Sequence, residues 1–478
     1  VNNGSSVKIL LIVLKAPVIF LSLEKATFMI LSQNPYSGET LKEHKEFTSN
    51  DIDNALKKAS SAFKFWRNET FSKRSQLMLK AAEELEENKK EYARTITLEM
   101  GKPITQSLAE IEKCAWVCRY YAETAEEHLA PEEIATDAGR SYVNYAPMGV
   151  VLAIMPWNYP FWQVFRFAAP ALMAGNVGLL KHASNTMMCG EKIEQVFKRA
   201  GIPEGGFQNL IIGSKKVEEV LRDERVKAVT LTGSGPAGSA VAETAGKLIK
   251  KSVLELGGSN ALVIFEDANL EESVGTCVQA RFQNTGQSCI AGKRLLLHKD
   301  IADKFTELFL KKVKELKAGD PLDEETYIGV QAREDLAKDL EEQVKRSVEM
   351  GAKLLTGGDR KKAFFAPAVL GRVTKEMPVF KEETFGPAIG ITIFNKDEEA
   401  VDLINVTKFG LGVSLFTSSH ERAEKLIPSI EDGAVFVNEL VKSDPRLPFG
   451  GTKESGYGRE LSRFGIREFV NIQTIYFK

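Results

Sequence analysis

Three side chains in this 478-residue sequence are of the types that thiol-based acyl chemistry requires: Cys289, Asn158 and Glu255. Cys289 closes the polar, glycine-containing stretch Phe282-Gln-Asn-Thr-Gly-Gln-Ser-Cys289, beyond an amphipathic run that predicts a helix. A thiol attacks carbon only as thiolate, which requires an electropositive or helix-end setting. The oxyanion so formed needs a donor such as a side-chain amide, and release of an acyl group to water needs a base. Asn158, in Pro156-Trp-Asn158-Tyr-Pro160, has the donor's chemistry, and Glu255, in Glu255-Leu-Gly-Gly258, has the base's. The bland reading of a lone cysteine is a small buried hydrophobe, and Cys114, Cys118, Cys189 and Cys277 are read that way. Five cysteines without a C-x-x-C pair argue against a disulfide framework or a zinc knuckle and for a reducing compartment. The five histidines form no H-x-x-x-H pair, so no metal site is expected.

Glu255 has a rival task. Gly233-Ser234-Gly235-Pro-Ala-Gly238 fits G-x-G-x-x-G between a predicted strand, KAVTLT, and a predicted helix, SAVAETAGKLIKK. Glycines there permit a tight turn and bring backbone N–H groups and a helix N-terminus toward a phosphate. The ordinary dinucleotide rule assigns the ribose to an acidic residue about 20 positions on, and Glu255 stands 17 beyond Gly238. On residue types alone, ribose ligand and general base both stand.

The elements that must position these groups can be read from periodicity. The runs at 150–156, 177–184, 207–213, 226–233 and 252–258 are short and apolar and alternate with helical stretches, the signature of a parallel sheet wound with crossover helices. A second β/α series runs from Ala261 to about Asn438, in which NLEESVGTCVQARFQNTGQ and IADKFTELFLKKVKEL predict helices. Residues 51–130 are helical in period and highly charged, and the charges read as solvated faces. Ile9–Leu23 is apolar but interrupted by Lys15 and Pro17 and falls short of the roughly 18 residues that span a bilayer. Residues 1–28 are therefore read as an N-terminal extension, with neither a membrane anchor nor an A-x-A-like cleavage site. With 63 Lys plus Arg against 65 Asp plus Glu, there is no field of one sign to attract nucleic acid or an anionic membrane. The 43% hydrophobic content is that of an ordinary globular enzyme-sized chain, not a disordered one.

The blocks PWNYP, GSGPAG, LELGG, FQNTGQSC, EETFGPA (382–388) and PFGGTKESGYGRE (448–460), in this order and spacing, resemble the NAD(P)-dependent aldehyde dehydrogenase superfamily. The resemblance covers about residue 30 to the C-terminus, and the closing run from Ser443 is most similar to one branch of the succinate-semialdehyde dehydrogenases. It implies an α/β fold: a Rossmann-type parallel-sheet cofactor domain (29–137 and 149–256), an α/β catalytic domain (257–443) and a small β oligomerisation element (138–148 and 456–478). It also implies that Cys289 is the nucleophile, that Asn158 holds the oxyanion, and that Glu255 is the general base and not the ribose ligand. Cofactor contacts implied by matching positions are Trp157, Lys181, Gly233, Ser234, Gly238, Glu383 and Phe385. NAD-preferring relatives often carry Glu three residues after the lysine; here Ser184 stands there, which removes repulsion against a 2′-phosphate and makes NADP as acceptable as NAD.

For the substrate, relatives acting on succinate semialdehyde carry arginine at the position of Arg166 to bind the distal carboxylate. Their second arginine is replaced here by Gln283, so Arg281, or Arg446 with Ser443, is expected to compensate. The alternatives are a CoA-acylating relative, which has no need of the Glu255 base, and a non-enzymatic protein that kept the fold. The resemblance further implies a cytoplasmic homodimer or homotetramer, joined through a hairpin near Arg140–Tyr145 and the C-terminal strand near Asn471–Phe477. Both segments alternate like edge strands that need a partner.

Overall fold

Every apolar run expected to form the first sheet does so in the computed structural model, which describes residues 29–478. Strands Val150–Met155, Val177–His182, Phe207–Asn209, Val226–Thr232 and Lys251–Glu255 are mutually parallel. Across the sheet the order is Gly456–Tyr457, 251–255, 226–232, 150–155, 177–182, 207–209, with only Gly456–Tyr457 antiparallel. Strand Val177–His182 is buried at every position, as expected of a strand covered by helices on both faces. The chain leaves the central strand 150–155 in one direction and returns on its other side with 226–232, so a crevice opens at the C-terminal ends of these two strands.

A second sheet of seven strands runs in the order 353–356, 368–371, 388–394, 292–298, 260–264, 413–416, 435–437, parallel except at the 353–356 edge. Only Leu256, Gly257, Gly258 and Ser259 separate the end of strand 251–255 from the start of strand Asn260–Ile264. Groups at the C-terminal edge of the first sheet therefore face groups at the N-terminal edge of the second. Glu255 belongs to the former and Cys289, three residues before strand Gly292–His298, to the latter.

The charged lead-in folds as helices Ser49–Trp66, Phe71–Glu87, Lys89–Met100 and Ile104–His128. In the first of these, Ile52, Ala55, Leu56, Ala59, Ala62 and Trp66 recur at helical spacing and are buried, while Thr48 and Asp51 cap its N-terminus reciprocally. Cys114 and Cys118 share the buried face of the fourth. Not all the charges are solvated, however: Glu99, Lys102 and Glu110 are buried, and this departure from the sequence reading bears on the site. Two boundaries also differ. The helix after the glycine loop begins at Gly235, so the loop's later glycines form its first turn. The helix expected to run to Gln287 ends at Phe282, because Asn284 and Thr285 adopt left-handed backbone (φ 55° and 54°).

The C-terminal strand Val470–Phe477 pairs antiparallel with Arg140–Pro147 along its full length, and Glu132–Glu133 lies on the far side. One buried amide fastens this small sheet to the first: Asn176 Oδ1 accepts from the Gly149 N–H at 3.0 Å, and its Nδ2 donates to the Phe469 carbonyl at 2.9 Å. Asn176→Ala leaves the buried Gly149 N–H unpaired and the Phe469 carbonyl with only the Met148 N–H at 3.4 Å, so urea unfolding should report a loss of about 1 to 3 kcal/mol. A loss below about 0.5 kcal/mol would show that these bonds do not hold the sheets together.

Candidate active site

Backbone geometry around Cys289 comes first. Asn284, released from the helix, donates through Nδ2 to the Asn158 carbonyl at 2.8 Å and to the Gln287 carbonyl at 2.9 Å. Asn158 donates through its own Nδ2 to the Gln287 carbonyl at 3.2 Å, while its buried Oδ1 has no partner among the described residues. The Thr285 hydroxyl accepts from the Gly329 N–H at 3.0 Å, and a Cβ at Gly286 would lie 2.6 Å from the Gly386 carbonyl. The loop before Cys289 is thus laced to the loop carrying Asn158 by amides that a helix would have turned elsewhere. Asn158 is held from the other side as well. Glu110 Oε1 accepts the Phe161 and Trp162 N–H groups at 2.9 and 3.0 Å, and its other oxygen is paired with buried Lys102, whose Nζ lies 3.7 Å from the centroid of the Tyr159 ring.

Cys289 is half-buried and lines a cavity of about 170 Å³ together with Tyr159, Trp162, Arg166, Lys113 and Ser443. Burial pushes the thiol's pKa up; Lys293, first, and Arg166 pull it back down, and the carboxylates of Glu383 and Glu255 oppose them. Lys293 is fully buried. Its Nζ donates to the Gly258 carbonyl at 2.6 Å, the Cys289 carbonyl at 2.9 Å and Glu383 Oε1 at 2.7 Å. Glu383 Oε1 also accepts the Gly258 N–H at 3.0 Å.

Glu255 is 2% exposed, and neither carboxylate oxygen has a hydrogen-bond partner among the described residues. Burial, and then neighbouring Glu460, push its pKa well above the ordinary carboxylate range, against Arg166 and Arg459. Space beside it is kept by Gly450, where a Cβ would approach Glu255 Oε1 to 2.9 Å. Glu460 is itself buried and ion-paired with Arg166 Nε, while the Arg166 guanidinium stacks 4.5 Å from the Phe449 ring centroid.

The residues expected at the substrate separate clearly. Arg166 and Ser443 line the cavity. Arg281 does not; it is fully buried and donates to the Thr384 carbonyl at 3.1 Å, while its neighbour Ala280 lines the cavity instead. Arg446 is exposed and bound to Asp444 through Nε and Nη2 at 2.9 and 2.7 Å. Two lysines line the cavity beside Arg166: Lys442, which is paired with Glu439, and Lys113, which the sequence reading left among solvated helix charges and whose Nζ donates to Ser443 Oγ at 2.9 Å.

A second cavity, of about 730 Å³, is lined by Trp157, Lys181, Ser184, Asn185 and Arg333. Trp157 packs edge-on against Phe385, ring centroids 5.5 Å apart, beside the Lys293 ammonium. A nicotinamide dinucleotide fits these residues. Lys181 is buried and its pKa is lowered by that burial alone, and Asn185 Nδ2 is buried without a partner. Glu383 keeps Oε2 outside the Lys293 contact, and a Cβ at Gly257 would lie 2.2 Å from that oxygen. Ser234 is exposed at the N-terminus of helix Gly235–Lys247, and Gly233 donates to the Glu255 carbonyl at 3.0 Å. Gly238 lies one turn inside that helix, where a Cβ would meet Leu256 Cδ2 at 2.6 Å, so it serves close helix–strand packing.

A half-buried thiol, an amide and a desolvated carboxylate, next to a cleft suited to a nicotinamide dinucleotide, are the parts of an oxidoreductase site. The aldehyde dehydrogenase family model matches residues 23–475. A Synechocystis protein named probable succinate-semialdehyde dehydrogenase [NADP(+)] is 48% identical over 94% of this chain and 99% of its own length. An Escherichia coli protein named succinate semialdehyde dehydrogenase [NAD(P)+] is 44% identical over 93% of this chain and 97% of its own. The solved structure of the Streptococcus pyogenes succinic semialdehyde dehydrogenase in complex with NADP+ superposes with a TM-score of 0.91 at 36% identity, covering 94% of this chain and 99% of that one. The chain belongs to the aldehyde dehydrogenase family.

Lys293 offers a direct check of the site's electrostatics. Lys293→Met removes the first-ranked charge that holds the Cys289 pKa down, so iodoacetamide should alkylate the apoenzyme thiol roughly tenfold more slowly at neutral pH. An unchanged alkylation rate would show that Lys293 has no electrostatic hold on the thiol.

Proposed function

We propose that this enzyme oxidises succinate semialdehyde to succinate with NADP or NAD, with Cys289 as nucleophile, Asn158 as oxyanion donor and Glu255 as general base. The observation that carries the reading is the cavity that puts Cys289 on the same walls as three cations, Arg166, Lys113 and Lys442. A small polar cavity with positive charge opposite a nucleophile suits an aldehyde whose far end is an anion. The names borne by the Synechocystis and Escherichia coli relatives point the same way. Assaying butanal and succinate semialdehyde side by side tests it: kcat/KM should favour the carboxylate-bearing aldehyde by at least tenfold.

The chemistry follows from the placement of the groups. The Cys289 thiolate adds to the aldehyde carbon, and the oxygen, now an anion, is met by the Asn158 amide and the Cys289 N–H. Lys181 and Glu383 would hold the ribose hydroxyls of a nicotinamide dinucleotide and Ser234 its pyrophosphate, and that group when bound would supply the hydride acceptor. Transfer of the hydride to it would leave a thioester on Cys289. Glu255 then takes a proton from water as the water oxygen attacks the thioester carbon, and the thiolate departs as the carboxylic acid forms. Burial, first, and Glu460 raise the proton affinity of Glu255 well above that of an ordinary carboxylate, the direction that favours taking a proton from water.

Domain limits are proposed as 29–137 with 149–256 for cofactor binding, 257–443 for catalysis, and 138–148 with 456–478 for assembly. Strand Val470–Phe477 is an edge among the described residues, with Ile472, Tyr476 and Phe477 exposed, which supports a homodimer or homotetramer joined there. No helix among the described residues is long and apolar enough to cross a membrane.

Glu255→Gln keeps the volume and removes the base. About one equivalent of NAD(P)H per active site should form in a burst, followed by a steady rate lowered by about 10²-fold to 10⁴-fold, with cofactor affinity near normal. A raised cofactor KM with full turnover at saturation would return Glu255 to the ribose. At the other cavity, Ser184→Glu places a carboxylate beside Lys181 and should shift preference from NADP toward NAD by about 1 to 3 kcal/mol in relative kcat/KM. A wild type already specific for NAD would remove the role given to Ser184.

A further inference from the structure

We infer that His182 is a positioning residue for hydride transfer, one that fixes the loop carrying Asn158 and the dinucleotide cleft to one another. This deepens the roles given above to Asn158 and Lys181 and rests on them. Strand Val177–His182 lies beside strand Val150–Met155, and His182 is the register partner of Met155, from which the chain enters Pro156-Trp-Asn158-Tyr-Pro160. The imidazole is fully buried. Its Nε2 lies 2.9 Å from the carbonyl of Pro160, the second residue after Asn158. Its Nδ1 accepts the Ala183 N–H at 2.8 Å and stands 2.8 Å from the Thr186 hydroxyl. A carbonyl only accepts and an amide N–H only donates, so the ring proton sits on Nε2 and the Nδ1 lone pair faces two donors. Burial, with Lys181 adding to it and the Pro160 bond opposing, lowers the pKa to about 4, which keeps the ring neutral and in this tautomer at neutral pH.

The two ring nitrogens serve two different sites. Nδ1 shapes the turn that leads into the short 3₁₀ stretch Ser184–Thr186, and with it the presentation of Ser184 and Asn185 to the cavity of about 730 Å³. Lys181, on the same cavity, immediately precedes the imidazole. Nε2 holds the loop whose Trp157 lines that cavity and whose Asn158 amide faces the thiol loop. Two other groups grip this loop. Asn284 ties the Asn158 carbonyl to the thiol loop, and Glu110 ties the Phe161 and Trp162 N–H groups to helix Ile104–His128. Of the three, only His182 belongs to the strand that carries a cofactor contact. Hydride transfer requires the carbon on Cys289, oriented by the Asn158 amide, to meet the nicotinamide ring, and a misplacement of about 1 Å costs roughly 100-fold in rate. A flat, rigid ring with both nitrogens engaged is a spacer of fixed length between the two groups that set this distance.

Three substitutions separate the two arms. In His182→Asn the amide oxygen takes the place of Nδ1 and the side chain is too short for Pro160. In His182→Gln the terminal amide donates to Pro160 and leaves Ala183 and Thr186 without the ring nitrogen, while His182→Phe loses both arms at similar volume. Single turnovers of succinate semialdehyde, with enzyme in excess and NADP saturating, read hydride transfer as the rise of NADPH. Counted per iodoacetamide-reactive thiol, that rise should slow roughly 30-fold to 100-fold in His182→Phe and His182→Asn, and His182→Gln should recover most of it. NADPH affinity, from fluorescence titration, should weaken by about threefold to tenfold in His182→Phe and His182→Gln and hold in His182→Asn. Iodoacetamide should alkylate Cys289 in all three within about twofold of the wild-type rate, since His182 does not act on the thiol's charge. Asn158→Ala should slow the same rise, and adding His182→Asn to it should cost less than about threefold more, because the amide being positioned is already gone. If His182→Phe does not fold, His182→Asn carries the test. An Asn158→Ala enzyme with an unchanged rise would sink the oxyanion role and this inference with it. If Asn158→Ala slows the rise and His182→Asn does not, or if His182→Asn costs its full factor again without the amide, His182 alone is overturned and the role of Asn158 stands.

Discussion

A single buried ammonium, Lys293 Nζ, binds the Gly258 carbonyl, the Cys289 carbonyl and the Glu383 carboxylate at once. Gly258 lies in the four-residue link between the two sheets, Cys289 three residues before a strand of the second sheet, and Glu383 two residues before Phe385. The positions of thiol, link and Glu383 carboxylate are therefore one constraint and not three. Removing an ammonium from water carries a penalty of several kcal/mol, and it is offset here only because every donor has an acceptor and one acceptor is charged. The close approach this needs is allowed by glycine: a Cβ at Gly258 would lie 2.7 Å from the Cys289 carbonyl.

Glu255 shows the opposite arrangement. Its carboxylate is buried, has no hydrogen-bond donor among the described residues and stands near a second buried acid, Glu460. Left alone, two such acids would share at most one charge. Burial raises the proton affinity of both, and Arg166, paired with Glu460, opposes that rise, while Glu255 has the further push of Glu460 beside it. Burial raises the proton affinity of Glu255 most, Glu460 adds to it, and Arg166 works against both. The same guanidinium helps lower the pKa of the Cys289 thiol.

Much of this was legible in the sequence, and what was not shares a physical cause. Strand runs, the helical lead-in and the six blocks are local patterns, and they place Asn158 and Glu255 at or just after the C-terminal ends of strands 150–155 and 251–255 and Cys289 just before strand 292–298. Lys293 was not legible: it reads as a lysine entering an apolar strand, and its partners are 35 and 90 residues away. Lys113 reads as a solvated helix lysine until Ser443, 330 residues on, is brought against it. Arg281 erred the other way, since an arginine near the nucleophile in sequence turns to a carbonyl outside the cavity. Periodicity gives the face of a helix; only the packing of remote segments decides whether a charge on that face meets water, an acid or a cavity.

The two cavities differ in what they ask of charge. The larger one, of about 730 Å³, is lined by Lys181, Ser184 and Asn185, and Lys181 forms no ion pair among the described residues, which leaves its charge open to an anion. In the smaller one, of about 170 Å³, Arg166 is paired with Glu460 and Lys442 with Glu439, so most of its positive charge is compensated by acids of the chain itself. Trp157, which lines the larger cavity, packs edge to face against Phe385 and so contributes apolar surface and no charge.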